Sequence, residues 1–266
     1  MTSTGSQGYR PVPVGDDPLL AVLRAATVAV HDALAGLDDW GLAGTRPGQY
    51  RSDLVADRAG LEVLEPAGLG VLSEESGLHH PERDLVVAFD PVDGSTNASR
   101  QLPWWATSLC AVDADGPRVA VVVNQVSGTR FEAVRGKGAW KDDEPIRPSD
   151  VTRLADAIVG VSGLPTRHLG WKQFRALGAA ALDLCAVAAG ILDAFVDCSR
   201  DAHAPWDYLA ALLICREAGA IMVDTEGRDL VTMGHLDRRS PVAASTPELY
   251  AELVGAGYGR PEGSSR

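Results

Sequence analysis

The chain has 266 residues, 45% of them hydrophobic, and its 36 Asp and Glu against 24 Lys and Arg give a formal net charge of −12. That balance argues against a surface for nucleic acid or anionic membrane, and an acidic protein that binds a dianion needs cations to mediate. The first residues lack the basic start and apolar stretch of a signal peptide, no apolar run is long enough to span a bilayer, and Cys110, Cys185, Cys198 and Cys215 form no CxxC pair, so a reducing cytoplasmic setting is expected.

Residues 1–15, rich in Gly, Ser and Pro, and 259–266 are expected to be flexible tails on a single domain at 16–258, with two abutting halves at about 16–150 and 151–258. Apolar residues at helical spacing predict a helix from about Pro18 to Leu37, and a second follows Asp53. Strands are predicted near 69–73, 85–90, 106–112 and 118–125, with a glycine-turned hairpin around Gly136-Lys137-Gly138. Beyond residue 150 the pattern reads as strand 157–161, helices 172–189, strand 193–197, helix 206–218, strands 220–224 and 241–244, and helix 247–256. Composition and periodicity alone give a mixed α and β protein without repeats.

The most informative stretch is Val87-Ala88-Phe89-Asp90-Pro91-Val92-Asp93-Gly94-Ser95-Thr96-Asn97, where an apolar run ends in two carboxylates three residues apart. Pro91 fixes its own φ and biases Asp90 towards extended backbone, so the strand is expected to stop and the chain to turn there. Asp90, Asp93 and the Val92 carbonyl can then converge on one hard cation, which prefers oxygen ligands. Ser95, Thr96 and Asn97 are good helix N-cap types, and a helix starting there aims free N–H groups at an anion. In isolation the segment is also an ordinary turn composition.

Two other acidic segments stand apart from it. Gly70-Val71-Leu72-Ser73-Glu74-Glu75-Ser76-Gly77 is a short apolar strand ending in a pair of acids. In Pro205 to Ala220, Asp207 opens an apolar helix that Gly219 is placed to stop. Taken singly, Glu74 and Glu75 are a solvated strand end and Asp207 a favourable charge on the helix dipole.

Together, and in this order, these segments resemble the inositol monophosphatase family of magnesium-dependent, lithium-sensitive phosphatases. The resemblance rests on Ser-Glu-Glu-Ser-Gly at 73–77, Asp-Pro-Val-Asp-Gly-Ser-Thr-Asn at 90–97, Gly-Lys-Gly-Ala-Trp at 136–140, and Trp-Asp-x-x-Ala-Ala with Glu-Ala-Gly at 206–219. It runs from about residue 18 to 256. It implies an α+β fold, a layered αβαβα sandwich with the metal site between the two halves, and commonly a homodimer.

The resemblance also assigns roles. Glu74 corresponds to a ligand shared by two metals, Asp90, Asp93 and the Val92 carbonyl complete the shells, and Asp207 holds the second metal, so two or three Mg²⁺ are implied per site. Asp57 resembles the acid that supports a third, weaker metal and the attacking water. The segment Asp53 to Asp57 is two residues shorter than the family pattern, which leaves Asp53 as a rival. Ser95 stands where the family usually has Thr, and Glu74, Ser95 and Asp57 are the expected catalytic groups. Asp93, Gly94, Ser95, Ala179, Ala180, Asp197 and Asp207 are the expected substrate contacts, with Ala179 in place of the usual Thr and Asp197 matching an acid that binds polyol hydroxyls.

The implied reaction is hydrolysis of a small phosphorylated alcohol by metal-activated water, without a covalent intermediate. Inositol monophosphate is the first choice of substrate, and histidinol phosphate, fructose 1,6-bisphosphate and 3′-phosphoadenosine 5′-phosphate are alternatives. A phosphate-binding relative without catalysis is the non-enzyme alternative; it would be expected to have lost a ligand. Residues 198–205 are longer than in typical members and lie where leaving groups sit, which makes Arg200 and His203 candidate substrate contacts; an exposed loop of ordinary polar residues is the favoured reading. His79-His80 precede a polar connector and are not read as ligands, while His168 and His235 lack partner spacing.

Overall fold

The computed structural model describes residues 15–258, so the tails expected at 1–15 and 259–266 lie outside the described residues, Gly15 apart. The chain opens with α1 (Asp16–Ala35) and α2 (Arg51–Leu64). An eight-stranded sheet follows, made of β1 (Gly70–Ser73), β2 (Gly77–His79), β3 (Val86–Asp93), β4 (Ala106–Asp113), β5 (Gly116–Asn124), β6 (Arg130–Val134), β7 (Gly138–Lys141) and β8 (Glu144–Pro145). Its order is β2-β1-β3-β4-β5-β6-β7-β8, antiparallel throughout except that β1 and β3 run parallel.

A second sheet contains β9 (Ile158–Ser162), β10 (Gln173–Arg175), β11 (Ala194–Asp197), β12 (Ile221–Asp224) and β13 (Pro241–Ala244), in the order β10-β9-β11-β13-β12. Four helices complete the chain: the short α3 (Ser95–Ser99), α4 (Ala180–Ala188), α5 (Pro205–Ala218) and α6 (Pro247–Gly255).

The alternation of side chains along the strands sets the layers. On β3, Val87 and Phe89 pack with Leu19, Leu23, Ala26 and Val30 of α1, whereas Ala88 faces the opposite way, towards α4 and α5. Every residue of α4 is buried, because α4 and α5 lie between the sheets. Their core joins Cys110, Ala120 and Phe131 of the first sheet to Phe195 and Ala243 of the second. Leu249 and Leu253 of α6 cover Val159, Val196 and Val242 on the far face of the second sheet. The five layers are the αβαβα sandwich that the motifs imply.

Several local expectations change. β3 does not stop at Asp90; it continues to Asp93 through a bulge that absorbs Pro91 and Val92. Of the residues 172–189 expected to be helical, only those after Gly178, which adopts φ +87° and breaks the run, form a helix. Residues 173–175 before it form the exposed edge strand β10, and α4 starts only at Ala180. β2 and β8, three and two residues long, have no counterpart in the sequence reading. By length and composition α1 could cross a bilayer, contrary to the expectation that no run is long enough; its apolar stripe is committed to the sheet.

Candidate active site

Parallel pairing of β1 with β3 places Ser73 opposite Phe89, and the Glu74 N–H extends the ladder by donating to the Phe89 carbonyl at 3.1 Å. The next residues in register are Glu74 and Asp90, so two carboxylates leave neighbouring strands side by side. The third arrives from α5. Pro205 occupies its first turn, where a missing N–H costs nothing, and Trp206 packs with Ala204 on Leu72 while its carbonyl accepts the Ser108 hydroxyl at 3.2 Å. Asp207 is thereby delivered to the end of β1. One oxygen from each of Glu74, Asp90 and Asp207 lies within 4.8 Å of the others.

The β3 bulge shapes the rest of the wall. Asp90 Oδ1 accepts the Val92 N–H at 3.0 Å, and the Pro91 carbonyl is held by the Thr107 hydroxyl at 2.9 Å. Asp93 does not join the triad of close oxygens; its carboxylate accepts the Ala180 N–H at 3.1 Å and the Ala181 N–H at 2.7 Å, clasping the start of α4. Gly94 follows with φ +88°, and a Cβ there would sit 3.0 Å from the Gly178 carbonyl and 3.2 Å from Ala179 Cβ, so only glycine lets the halves close this tightly. Ser95 Oγ donates to the Val92 carbonyl at 2.9 Å and lies within reach of Asp53.

A cleft of about 300 Å³ opens over these groups. Glu74, Asp90, Asp93, Asp183 and Asp207 line it with His203, and no Lys or Arg does so among the described residues. Burial and mutual repulsion weaken these acids. Burial first, then Asp207 and Glu75, lift Glu74 well above the usual carboxylate range; burial and then Glu74 do the same for Asp90. Burial and then Asp207 raise Asp93 to about 7. Hard oxygen donors gathered against their own repulsion fit a divalent cation such as Mg²⁺; the guanidiniums of Arg46 and Arg238 line the adjoining cavity with Glu74, where Arg46 pairs with Glu75.

The two rival acids of α2 separate clearly. Asp57 is buried and accepts the Ser73 hydroxyl, so it steadies the strand end behind Glu74 and does not line the cleft. Asp53 lies beside Ser95 and lines a cavity of about 290 Å³ with Glu74 and Glu75, next to the triad. Its burial raises its pKa, partly offset by the Tyr50 N–H and the Ser95 hydroxyl. Ala179 and Ala180 line the cleft, but Asp93 takes the Ala180 amide. Asp197 is buried and faces a separate cavity.

His203 is placed differently from the favoured sequence expectation. It is not on an exposed loop: its imidazole is 10% exposed, lines the cleft, and stands 3.5 Å from Asp207 and 3.8 Å from Asp197. Burial opposes its charge, but Asp207 outweighs that and its pKa lies above the ordinary histidine value. Arg200 is exposed and paired with Glu226, away from the cleft. His79 pairs with Glu65, and His235 lies against Trp206, with ring centroids 5.1 Å apart. Two motifs turn out to support each other: the Glu217 carboxylate accepts the Gly136 and Gly138 N–H groups at 2.8 and 2.9 Å, locking the hairpin to α5.

A family model described as the inositol monophosphatase family matches residues 67–257. The chain belongs to the inositol monophosphatase family. A fructose-1,6-bisphosphatase of Pyrococcus furiosus is 31% identical over 207 residues, covering 76% of this chain and 80% of that one. A protein named Nus factor SuhB from Pasteurella multocida is 33% identical over 221 residues, 76% of this chain and 79% of its own. Among solved structures, a Pyrococcus horikoshii protein described by its similarities to inositol-1 monophosphatase superposes with a TM-score of 0.78 at 26% identity, covering 90% of this chain and 96% of that one. Membership in the inositol monophosphatase family places the protein among phosphatases of small phosphorylated substrates.

Proposed function

We propose that the protein hydrolyses a small phosphorylated alcohol with Mg²⁺, and that inositol monophosphate is the first substrate to test, ahead of histidinol phosphate, fructose 1,6-bisphosphate and 3′-phosphoadenosine 5′-phosphate. The observation that carries this reading is the cleft wall of five carboxylates without a lysine or arginine. A phosphate dianion does not enter such a wall unless cations lie between. Glu74, Asp90, Asp207, the Val92 carbonyl and the outer reach of Asp93 would hold the metal. When bound, Mg²⁺ neutralises the ester oxygens and acidifies water.

The chain's own groups do the rest. Glu74, at the cleft wall beside the metal, accepts a proton from water, and Ser95 Oγ, anchored on the Val92 carbonyl, orients it. Asp53, at the edge of the triad beside Ser95, takes the supporting role first expected of Asp57. α3 is only five residues long, so its dipole is weak, and the Gly94 and Ser95 amides act as individual donors to a phosphate oxygen. The test is phosphate release from the four esters with and without Mg²⁺, compared by kcat/KM. Folded, Mg²⁺-binding protein that releases phosphate from none of them would refute the reading.

A further inference from the structure

A second cavity of about 230 Å³ lies behind the segment 198–204, and Asp197 lines that cavity, not the cleft. Between the two stands His203. Its backbone is pinned by Arg239, donating to the Arg239 carbonyl at 3.2 Å and accepting the Arg239 N–H at 2.8 Å, and its ring rests edge-on against Phe195. The imidazole spans the gap: Nδ1 is 3.5 Å from Asp207 Oδ2, and Nε2 is 3.8 Å from Asp197 Oδ1 and 3.2 Å from the Ser162 hydroxyl. Asp197 Oδ1 also accepts the Ser199 N–H at 2.8 Å, so the carboxylate is held from the loop side. On the metal side, the Ala204 N–H donates to the same Asp207 Oδ2 at 2.8 Å. Asp207 Oδ2 thus faces both His203 and Ala204.

We infer that Asp197 acts on the metal site through His203: Asp197 orients the imidazole, the imidazole orients Asp207, and both are positioning residues for a metal ligand. Outer partners that fix the orientation of a metal-binding carboxylate govern its affinity for the ion. Asp197 is by the same arrangement withdrawn from the cleft, which Ser162 and His203 line at that side. The inference rests on the metal-site reading above, but its test needs no turnover.

The experiment is calorimetric titration of the full, metal-stripped protein with Mg²⁺ alone. Asp197→Asn and His203→Ala are each expected to weaken Mg²⁺ binding about tenfold. Asp197→Asn added to His203→Ala should change affinity by no more than about twofold, because the route from Asp197 is already cut. His203→Gln keeps one donor near Asp207, so it should retain more affinity than His203→Ala, and it serves in place of the alanine variant if that one does not fold. At saturating Mg²⁺, Asp197→Asn should leave KM for inositol 1-phosphate unchanged.

Wild-type affinity in Asp197→Asn, additive losses in the double variant, or a KM that rises tenfold at saturating Mg²⁺ would each overturn the inference. Wild-type protein that binds no Mg²⁺ would overturn the metal-site reading along with it, so the two failures are distinguishable.

Discussion

Asp93 holds the backbone of Ala181 across the line where the two sheets' halves meet: the Ala181 N–H donates to Asp93 Oδ2 at 2.7 Å, with the Ala180 N–H on Oδ1 at 3.1 Å. A residue at the end of a strand in the first sheet thus fixes the start of the helix that lines the cleft from the second half. Asp93→Ala leaves two buried donors without acceptors. It should cost about 1–3 kcal/mol of stability, measured by urea denaturation in saturating Mg²⁺. Unchanged stability would mean that the clasp does not hold the halves together.

Asp90→Asn should have the opposite effect on the metal-free fold. Asparagine keeps the Oδ1 acceptor for the Val92 N–H while removing an acid whose ionisation burial opposes first and Glu74, Asp93 and Asp207 oppose next. The metal-free variant is expected to melt no lower than the parent, while Mg²⁺-dependent phosphate release falls about a hundredfold or more. Retained turnover would remove Asp90 from the metal site.

Metal removal should expose a pH dependence of definite sign. In the metal-free fold Asp93 keeps its proton to about 7, against 3.8 as an isolated group, and Glu74 and Asp90 shift the same way. The folded chain therefore binds more protons than the unfolded one between those values, and its stability falls as pH rises through that window. Asp224, whose pKa is lowered by Arg228 despite its burial, contributes below the window and does not reverse the slope. Thermal denaturation in chelator should show Tm dropping from about pH 4 to about pH 7, and Mg²⁺ should remove most of the drop. A metal-free Tm that climbs over this range would contradict the assignment.

Asp53 and Asp57 should part company on substitution. Asp53→Asn, next to Ser95, is expected to lower kcat with little change in Tm. Asp57→Asn weakens a buried bond to Ser73 and should lower stability by about 1–2 kcal/mol, with activity following only as Glu74 shifts. Equal loss of kcat in both, at equal Tm, would argue against this division.

Those two acids also mark the boundary of what the sequence discloses. They sit four residues apart, one turn of α2, so both point to the same side of the helix and both are buried. What separates them is which partner each meets, Ser95 or Ser73, and that depends on how α2 is seated over β1 and β3. Glu74, Asp90 and Asp207 were legible as acids beside apolar runs, and the resemblance joined them into one site. The burial of His203 was not legible: its loop has ordinary polar composition, and its backbone pairs with Arg239, 36 positions away in the chain. β10 escaped detection for a similar reason, being three exposed residues on an edge with no apolar alternation.

The hairpin at Gly136-Lys137-Gly138 supplies a contrasting case. Glu217→Ala frees the two glycine amides and should reduce stability by about 1–2 kcal/mol, with kcat/KM unchanged at saturating Mg²⁺. A selective loss of turnover at unchanged Tm would give this motif a chemical role that its place in the fold does not support.

The cleft wall, free of lysine and arginine among the described residues, has a kinetic consequence. On the proposed function, encounter would be sequential: cations first, ester second, because a phosphate dianion alone would meet a wall of acids. Raising ester concentration would then not drive turnover in a metal-depleted solution, and product phosphate would depend on the same ions for its grip. Throughput would follow the free divalent cation level, and the surrounding solution would set the rate as much as the protein does.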